Sequence, residues 1–196
     1  MDPSISVAIA LGAFFIWALV IYNRLVALRN RVANALAQID VQLKRRHDLI
    51  PNLVETARGY LSHEKETLEA VISARDTART AGQAASREPR DAQAMAAMAK
   101  AEGVLSSSLG RFFALAEAYP DLKADQNMMH LSEEVATTEN KLSFSRQAFN
   151  DAVMSFNTAL ESFPAVMFAG MLGFKPASVL APLDSDIERK TPATRF

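Results

Sequence analysis

The first eighteen-residue stretch of note, Ile5 to Tyr22 (ISVAIALGAFFIWALVIY), carries no charge and one aliphatic hydroxyl, Ser6. As a helix it measures roughly 27 Å, close to the hydrocarbon thickness of a bilayer. Trp17 and Tyr22 stand toward its C-terminal end, where amphipathic rings favour the membrane–water interface. A cleaved signal peptide needs a basic leader, a shorter apolar core and a small-residue cleavage site. Here the leader is Met-Asp-Pro-Ser, and Asn23-Arg24-Leu25 follows the run. The pattern predicts an uncleaved transmembrane anchor over residues 1–23.

Beyond it the spacing becomes three-four. Leu25, Leu28, Val32, Leu36, Ile39 and Leu43 form a stripe suited to packing against other helices or other copies of the chain. The stripe resumes at Ile50, Leu53, Ala57, Tyr60, Leu68, Val71 and Ala74, with polar gaps near Arg46 and Glu64. Pro51 would usually kink or end a helix. The phase survives it, so the reading is one kinked helix to about Thr80, with a boundary at Pro51 as the alternative. Residues 80–90 (TAGQAASREPR) read as a loop. A second helix over 91–117 places Met95, Met98, Leu105, Leu109 and Phe112 on one face. A third over 126–162 repeats Val135, Leu142, Phe149 and Phe156 every seven residues, reaching Phe163. Residues 163–174 are uncharged but too few to span a bilayer as a helix. They read as a strap over the bundle, with a docking or membrane-interface segment as the alternative. Residues 175–196 read as irregular chain.

The fold class expected is therefore all-α: an N-terminal transmembrane helix continuing into an elongated antiparallel bundle of three to four long helices. Its parts are an anchor (1–23), a helical bundle (24–163) and a strap with an irregular tail (164–196). At 1.5 Å per residue the three cytoplasmic helices would measure roughly 85, 40 and 55 Å. The first would outrun its partners and leave its stripe uncovered, so side-by-side association into a homo-oligomer is expected.

Charge supplies the orientation. Only Asp2 and the terminal amine precede the span, whereas Arg24, Arg29 and Arg31 follow it before any acid. The positive-inside rule then puts the N-terminus outside and the body in the cytoplasm. Those three arginines are the candidate contacts to anionic lipid headgroups. The Lys44-Arg45-Arg46 triplet lies farther along and reads as a solvated helix face. Over the whole chain, 21 basic against 22 acidic residues leave a net charge of −1. This is no nucleic-acid binder.

Chemistry is sparse. There is no cysteine among 196 residues, which excludes disulfides, thiol nucleophiles and cysteine metal sites. His63-Glu64 begins like a metalloprotease helix, but the second ligand position holds Thr67. Gly170 and Gly173 lack the lysine of a phosphate loop. Ser106, Ser107 and Ser108 lack flanking glycines, and Glu133-Glu134 suits a solvated face. No catalytic residue, cofactor or metal ligand is assigned.

Several longer stretches strongly resemble the LemA family of bacterial membrane proteins. They are Tyr22 to Asn30 (YNRLVALRN), Gln38 to Val54 (QIDVQLKRRHDLIPNLV), Tyr119 to Ala124 (YPDLKA), Glu139 to Leu142 (ENKL), Arg146 to Asn150 (RQAFN) and Phe163-Pro164. The resemblance covers about residues 5 to 175. It implies a single N-terminal span in the inner membrane, a cytoplasmic helical bundle and no established catalytic residues. Relatives are associated with membrane stress, protein quality control and, in a magnetosome branch, membrane organisation. Membrane proteases or other membrane proteins are the partners this implies. The expected function is a non-enzymatic, self-assembling membrane scaffold, and the alternative is a signalling or adaptor module that recruits a partner.

Overall fold

A helix that meets a proline loses one hydrogen bond, because the ring nitrogen cannot donate to the carbonyl four residues back. At Pro51 that carbonyl belongs to His47, and Arg75 Nε donates to it at 3.0 Å from the neighbouring helix. In the computed structural model the first helix accordingly continues through Pro51 to Arg58. The structure describes residues 3–88 and 91–180. Its elements are α1 (Pro3–Arg58), α2 (Lys65–Arg87), α3 (Ala92–Ala116), α4 (Pro120–Lys123), α5 (Gln126–Glu161) and α6 (Ala165–Phe168). The fold is all-α, with four long helices, and no strand occurs among the described residues.

Two boundaries differ from expectation. The first helix ends at Arg58, not near Thr80, and the chain reverses over residues 59–64. Leu61 fills that corner with its side chain fully buried, and its N–H donates to Ala57 O at 2.9 Å. The polar gap near Glu64 marked a change of helix, and the preserved three-four phase across it was fortuitous. The loop expected over 80–90 is helical as far as Arg87. There the buried small residues Ala78, Gly82 and Ala85 provide a packing face, and tertiary burial overrides a local composition rich in breakers. Other ends follow local rules. Asp91 caps α3 by accepting from Gln93 N at 2.8 Å, and Asp125 Oδ1 accepts from Met128 N at 2.9 Å.

The chain folds as two compact units. One comprises residues 36–88 and 91–147 with Leu180, the other residues 3–35 with 148–179. In the first, α1 from residue 36, α2, α3 and the start of α5 run alternately up and down. The register shows it: Asp40 meets Ser86 and His47 meets Arg75, while Tyr60 meets Asp125 and Arg46 meets Glu139. Ile50, Leu53, Val71, Leu105, Phe112 and Leu122 lie at the centre of its core, all fully enclosed. In the second unit, Leu25, Phe156, Leu160, Ala165, Ala169 and Phe174 form a smaller core, with Leu28 and Val32 half-buried against it.

The stripe held to need a second copy is thus already covered. Leu25, Leu36, Ile39 and Leu43 are buried within one chain. Residues 65–87, read as a continuation of the first helix to about Thr80 and a loop beyond it, are a separate bundle helix and supply partners the length arithmetic had left out. An uncovered stripe is therefore no ground for self-association. Ala165, Ala169 and Phe174 are buried in the small core, whereas Phe163, the last member of the seven-residue series, is exposed. The irregular tail lies, from residue 181 onward, outside the described residues.

Candidate functional site

Two features stand apart from ordinary bundle packing, one in each unit. The first is α1 before Asn23. Apart from the half-buried Ile21, the large apolar side chains there are 42–64% exposed, from Trp17 to Leu11. A window of this helix is apolar and long enough to cross a membrane, and none of that window is buried in the chain. Arg24, Arg29 and Arg31 are all exposed immediately after it. Arg29 also places its guanidinium 5.5 Å from the centroid of the Phe174 ring, a cation–π contact that leaves its charge open to a surface.

How the strap reaches this position follows from its backbone. Phe174 N donates to Ala169 O at 3.0 Å and Gly173 N donates to Gly170 O at 3.1 Å. These are the paired bonds of a Schellman termination, which needs a left-handed residue just past the turn. Gly173 supplies it with φ of 76°. The apolar contact that goes with the motif joins Phe174 to Ala169 in the small core. Asn157 then fixes the next segment, donating Nδ2 to Ala177 O at 2.9 Å and accepting from Ala177 N at 3.0 Å. Gly173→Ala meets no steric neighbour but must adopt the left-handed conformation. It is expected to cost about 1–2 kcal/mol, seen as a fall of several degrees in the Tm of the detergent-solubilised protein.

The second feature is a buried polar layer crossing three helices of the other unit. Arg46 is 2% exposed, as is Glu102. Arg46 Nη1 donates to Glu102 Oε2 at 3.3 Å, and Nη2 donates to Ser106 Oγ at 2.8 Å and reaches Glu139 Oε2 at 2.9 Å. His47 Nε2 completes the layer, donating to Glu102 Oε1 at 2.9 Å. One carboxylate from α3 thereby receives two consecutive side chains of α1, and one guanidinium ties α1 to α3 and α5. Arg46 Nε and, one turn earlier, Gln42 Oε1 are buried without partners in this structure. Arg46 is therefore no part of a solvated basic triplet. Lys44 and Arg45 are exposed, and Arg45 reaches Glu134 Oε1 at 3.1 Å.

Beside this layer Asp40, Lys44, Arg79, Gln83 and Arg87 line an open cleft of about 490 Å3. Ser86 Oγ lies 2.8 Å from Asp40 Oδ2 and 3.0 Å from Gly82 O, two acceptors for one hydroxyl proton. Burial pushes the Asp40 carboxyl above its ordinary value of 3.8, and the Ser86 hydrogen bond offsets part of that. Asp40 thus costs stability once it ionises, a cost absent below the ordinary carboxylate range and complete above the raised native value. An amide removes the charge and can donate to Ser86 Oγ, freeing the hydroxyl for Gly82 O. Asp40→Asn is expected to raise Tm at pH 7, and the gain to shrink as pH falls toward 4. Melting curves across that range check the sign.

His63 and His130 are exposed, and among the described residues no cluster of three His, Cys, Asp or Glu could hold a metal ion. Ser106 serves Arg46, and Glu134 serves Arg45.

The family model described as "LemA family" matches residues 35–196. This is most of the chain. The chain belongs to the LemA family. The match includes the segment after residue 175, expected to fall outside the family, and begins after the Tyr22 to Asn30 motif. Similar proteins include a magnetosome protein, MamQ, of Magnetospirillum gryphiswaldense. It is 24% identical over 182 residues, 85% of this chain and 67% of the relative. The magnetosome protein MamQ 2 of Paramagnetospirillum magneticum is 23% identical over 84% of this chain and 66% of its own length. A protein named LemA from Metamycoplasma hominis is 23% identical over 79% of this chain and 66% of its own. The chain thus spans about two thirds of the length of these relatives.

Proposed function

We propose that this LemA-family chain is a non-enzymatic scaffold of the bacterial inner membrane, held by α1 with its N-terminus outside and its helical body in the cytoplasm. The observation that carries the reading is the apolar run of α1, long enough to cross a membrane and with none of its apolar window buried within the chain. Water would penalise that surface heavily, and a bilayer would not. The arginines at 24, 29 and 31 set the orientation and meet anionic headgroups. The body contributes rigidity: a layer of charge that crosses three helices specifies one register of packing, which suits a platform for membrane organisation or for proteins of quality control.

Self-assembly belongs to the same reading, with support in the span and not in the seam. Ala8 and Gly12 present small residues one turn apart on an exposed apolar helix, a spacing that lets helices approach closely in lipid. Co-expression of two differently tagged copies tests it. Recovery of both tags from membranes supports assembly, and recovery of one alone, with no cross-linked dimer, removes it from the account. The anchor is tested by deleting residues 1–23, which should move the protein from the membrane pellet to the soluble fraction; an unchanged pellet argues against the anchor.

A further inference from the structure

The strap carries an inverted pattern. In a short helix lying on a water-soluble bundle the large apolar side chains turn inward and the small or polar ones outward. Here Ala165 and Ala169, one turn apart, face the core, while Val166, Met167 and Phe168 between them face out. Met171 is 87% exposed and Phe163 78%. No residue from 163 to 174 is charged, and Lys175 follows at once, exposed. A contiguous apolar surface of this kind on a helical protein marks a contact with another apolar phase.

The depth of that surface is fixed by its neighbours in the same unit. The Phe174 ring stands edge-on to Tyr22, the last residue of the apolar run, with centroids 5.7 Å apart. On its other side lies the Arg29 guanidinium. Ile21, Val26 and Leu28 pack against the core that includes Ala165 and Ala169. The strap is therefore tied to α1 at the level where the span ends and the basic residues begin. We propose that residues 163–172 are a second, shallow membrane contact: a lipid-facing wedge that enters the headgroup–acyl boundary of the leaflet from which α1 emerges. This rests on the reading of α1 as a span and adds a lipid-binding site that the anchor alone does not require. Lipid is the occupant because the surface is continuous with the exposed span through Tyr22, and because the flanking charges, Arg24, Arg29 and Lys175, are cations that match anionic headgroups. Two linked contacts also limit how freely the body swings about its anchor.

The natural absence of cysteine makes a site-by-site test direct. Full-length protein carrying Met171→Cys, Phe163→Cys, Leu11→Cys or Lys141→Cys is labelled with a polarity-sensitive fluorophore and reconstituted in phosphatidylcholine–phosphatidylglycerol vesicles. Aqueous iodide and lipids with nitroxides at two depths serve as quenchers. At 171 and 163 the expectation is iodide quenching several-fold weaker than at 141, with a shallow nitroxide, about 5–10 Å below the surface, quenching better than a deep one. At 11 the deep nitroxide should dominate. Iodide quenching at 171 and 163 equal to that at 141, with 11 still deep, overturns the wedge and leaves the anchor intact. Shielding of 171 and 163 from iodide and from both nitroxides means that protein covers the strap, and also overturns it. Ready iodide quenching at 11 removes the anchor and the wedge together.

Discussion

Arg46→Met is expected to destabilise the bundle by about 3–5 kcal/mol, because it strands a buried carboxylate. Glu102 is as deeply buried as its partner and loses the guanidinium bonded to Oε2, keeping only His47 on Oε1. Glu139 is 41% exposed in its side chain and can turn to water, so the penalty falls on α3. Arg46→Lys should recover only part of the loss, since an ammonium cannot reproduce a fork that bonds Glu102 through one nitrogen and Ser106 and Glu139 through the other. Glu102→Gln removes the charge but keeps the shape, so its cost should be smaller, about 1–3 kcal/mol. The combination Arg46→Met with Glu102→Gln should be less damaging than the sum of the two, with a coupling of about 0.5–3 kcal/mol. Urea or thermal unfolding of the detergent-solubilised protein gives these values. An Arg46→Met variant within about 0.5 kcal/mol of the parent, the range of ordinary surface changes, would remove the layer from any structural role.

Phe14→Arg is the second large effect. Phe14 lies at the middle of the apolar run, where arginine costs insertion about 2.5–3.5 kcal/mol. That corresponds to roughly a hundredfold shift from inserted to non-inserted chains. The change leaves the core untouched, because Phe14 is exposed and outside both apolar cores. Membrane yield should fall steeply while the helical signal of the recovered protein stays the same. The same change at Phe144, an exposed position of α5, should have no effect on insertion. Equal membrane yield for Phe14→Arg and the parent would show that α1 is not held in hydrocarbon.

Much of the fold was legible because period and burial agree. Residues 91–117 and 126–162, read as helices, correspond to α3 and α5 within a residue at each end. The error at Pro51 to Thr80 has a physical source. A three-four phase can persist by chance across a corner: Tyr60, read as a seam residue, is exposed, and Leu61 is buried at the reversal instead. The rescue of Pro51 by Arg75 is a contact between helices 28 positions apart, and no local pattern announces it.

The polar layer was half legible. Continuing the three-four steps past Leu43 lands on Arg46 and His47; the steps between Met98 and Leu105 land on Glu102. Those between Val135 and Leu142 reach Thr138 and Glu139. Charged residues at interior positions on three helices are a signal, yet each alone reads as a gap in an apolar stripe. Only the register of the bundle brings them to one level, and register is a tertiary property. Along the stripe from Leu25 to Leu43, Leu25, Leu36, Ile39 and Leu43 are buried and Leu28 and Val32 half-buried. What it packs against depended on where the first helix ended.

The proposed N-terminal span puts the helical body on the cytoplasmic side of the bilayer. In a chain without native cysteine, Ser4→Cys and Asn140→Cys each offer one thiol, both at exposed positions. A membrane-impermeant maleimide applied to intact spheroplasts should label the cysteine at 4 and not the one at 140, which should react only after lysis. Labelling at 140 in intact spheroplasts, or recovery of the parent chain in the soluble fraction after alkaline washing of membranes, would contradict a cytoplasmic body held by an N-terminal span.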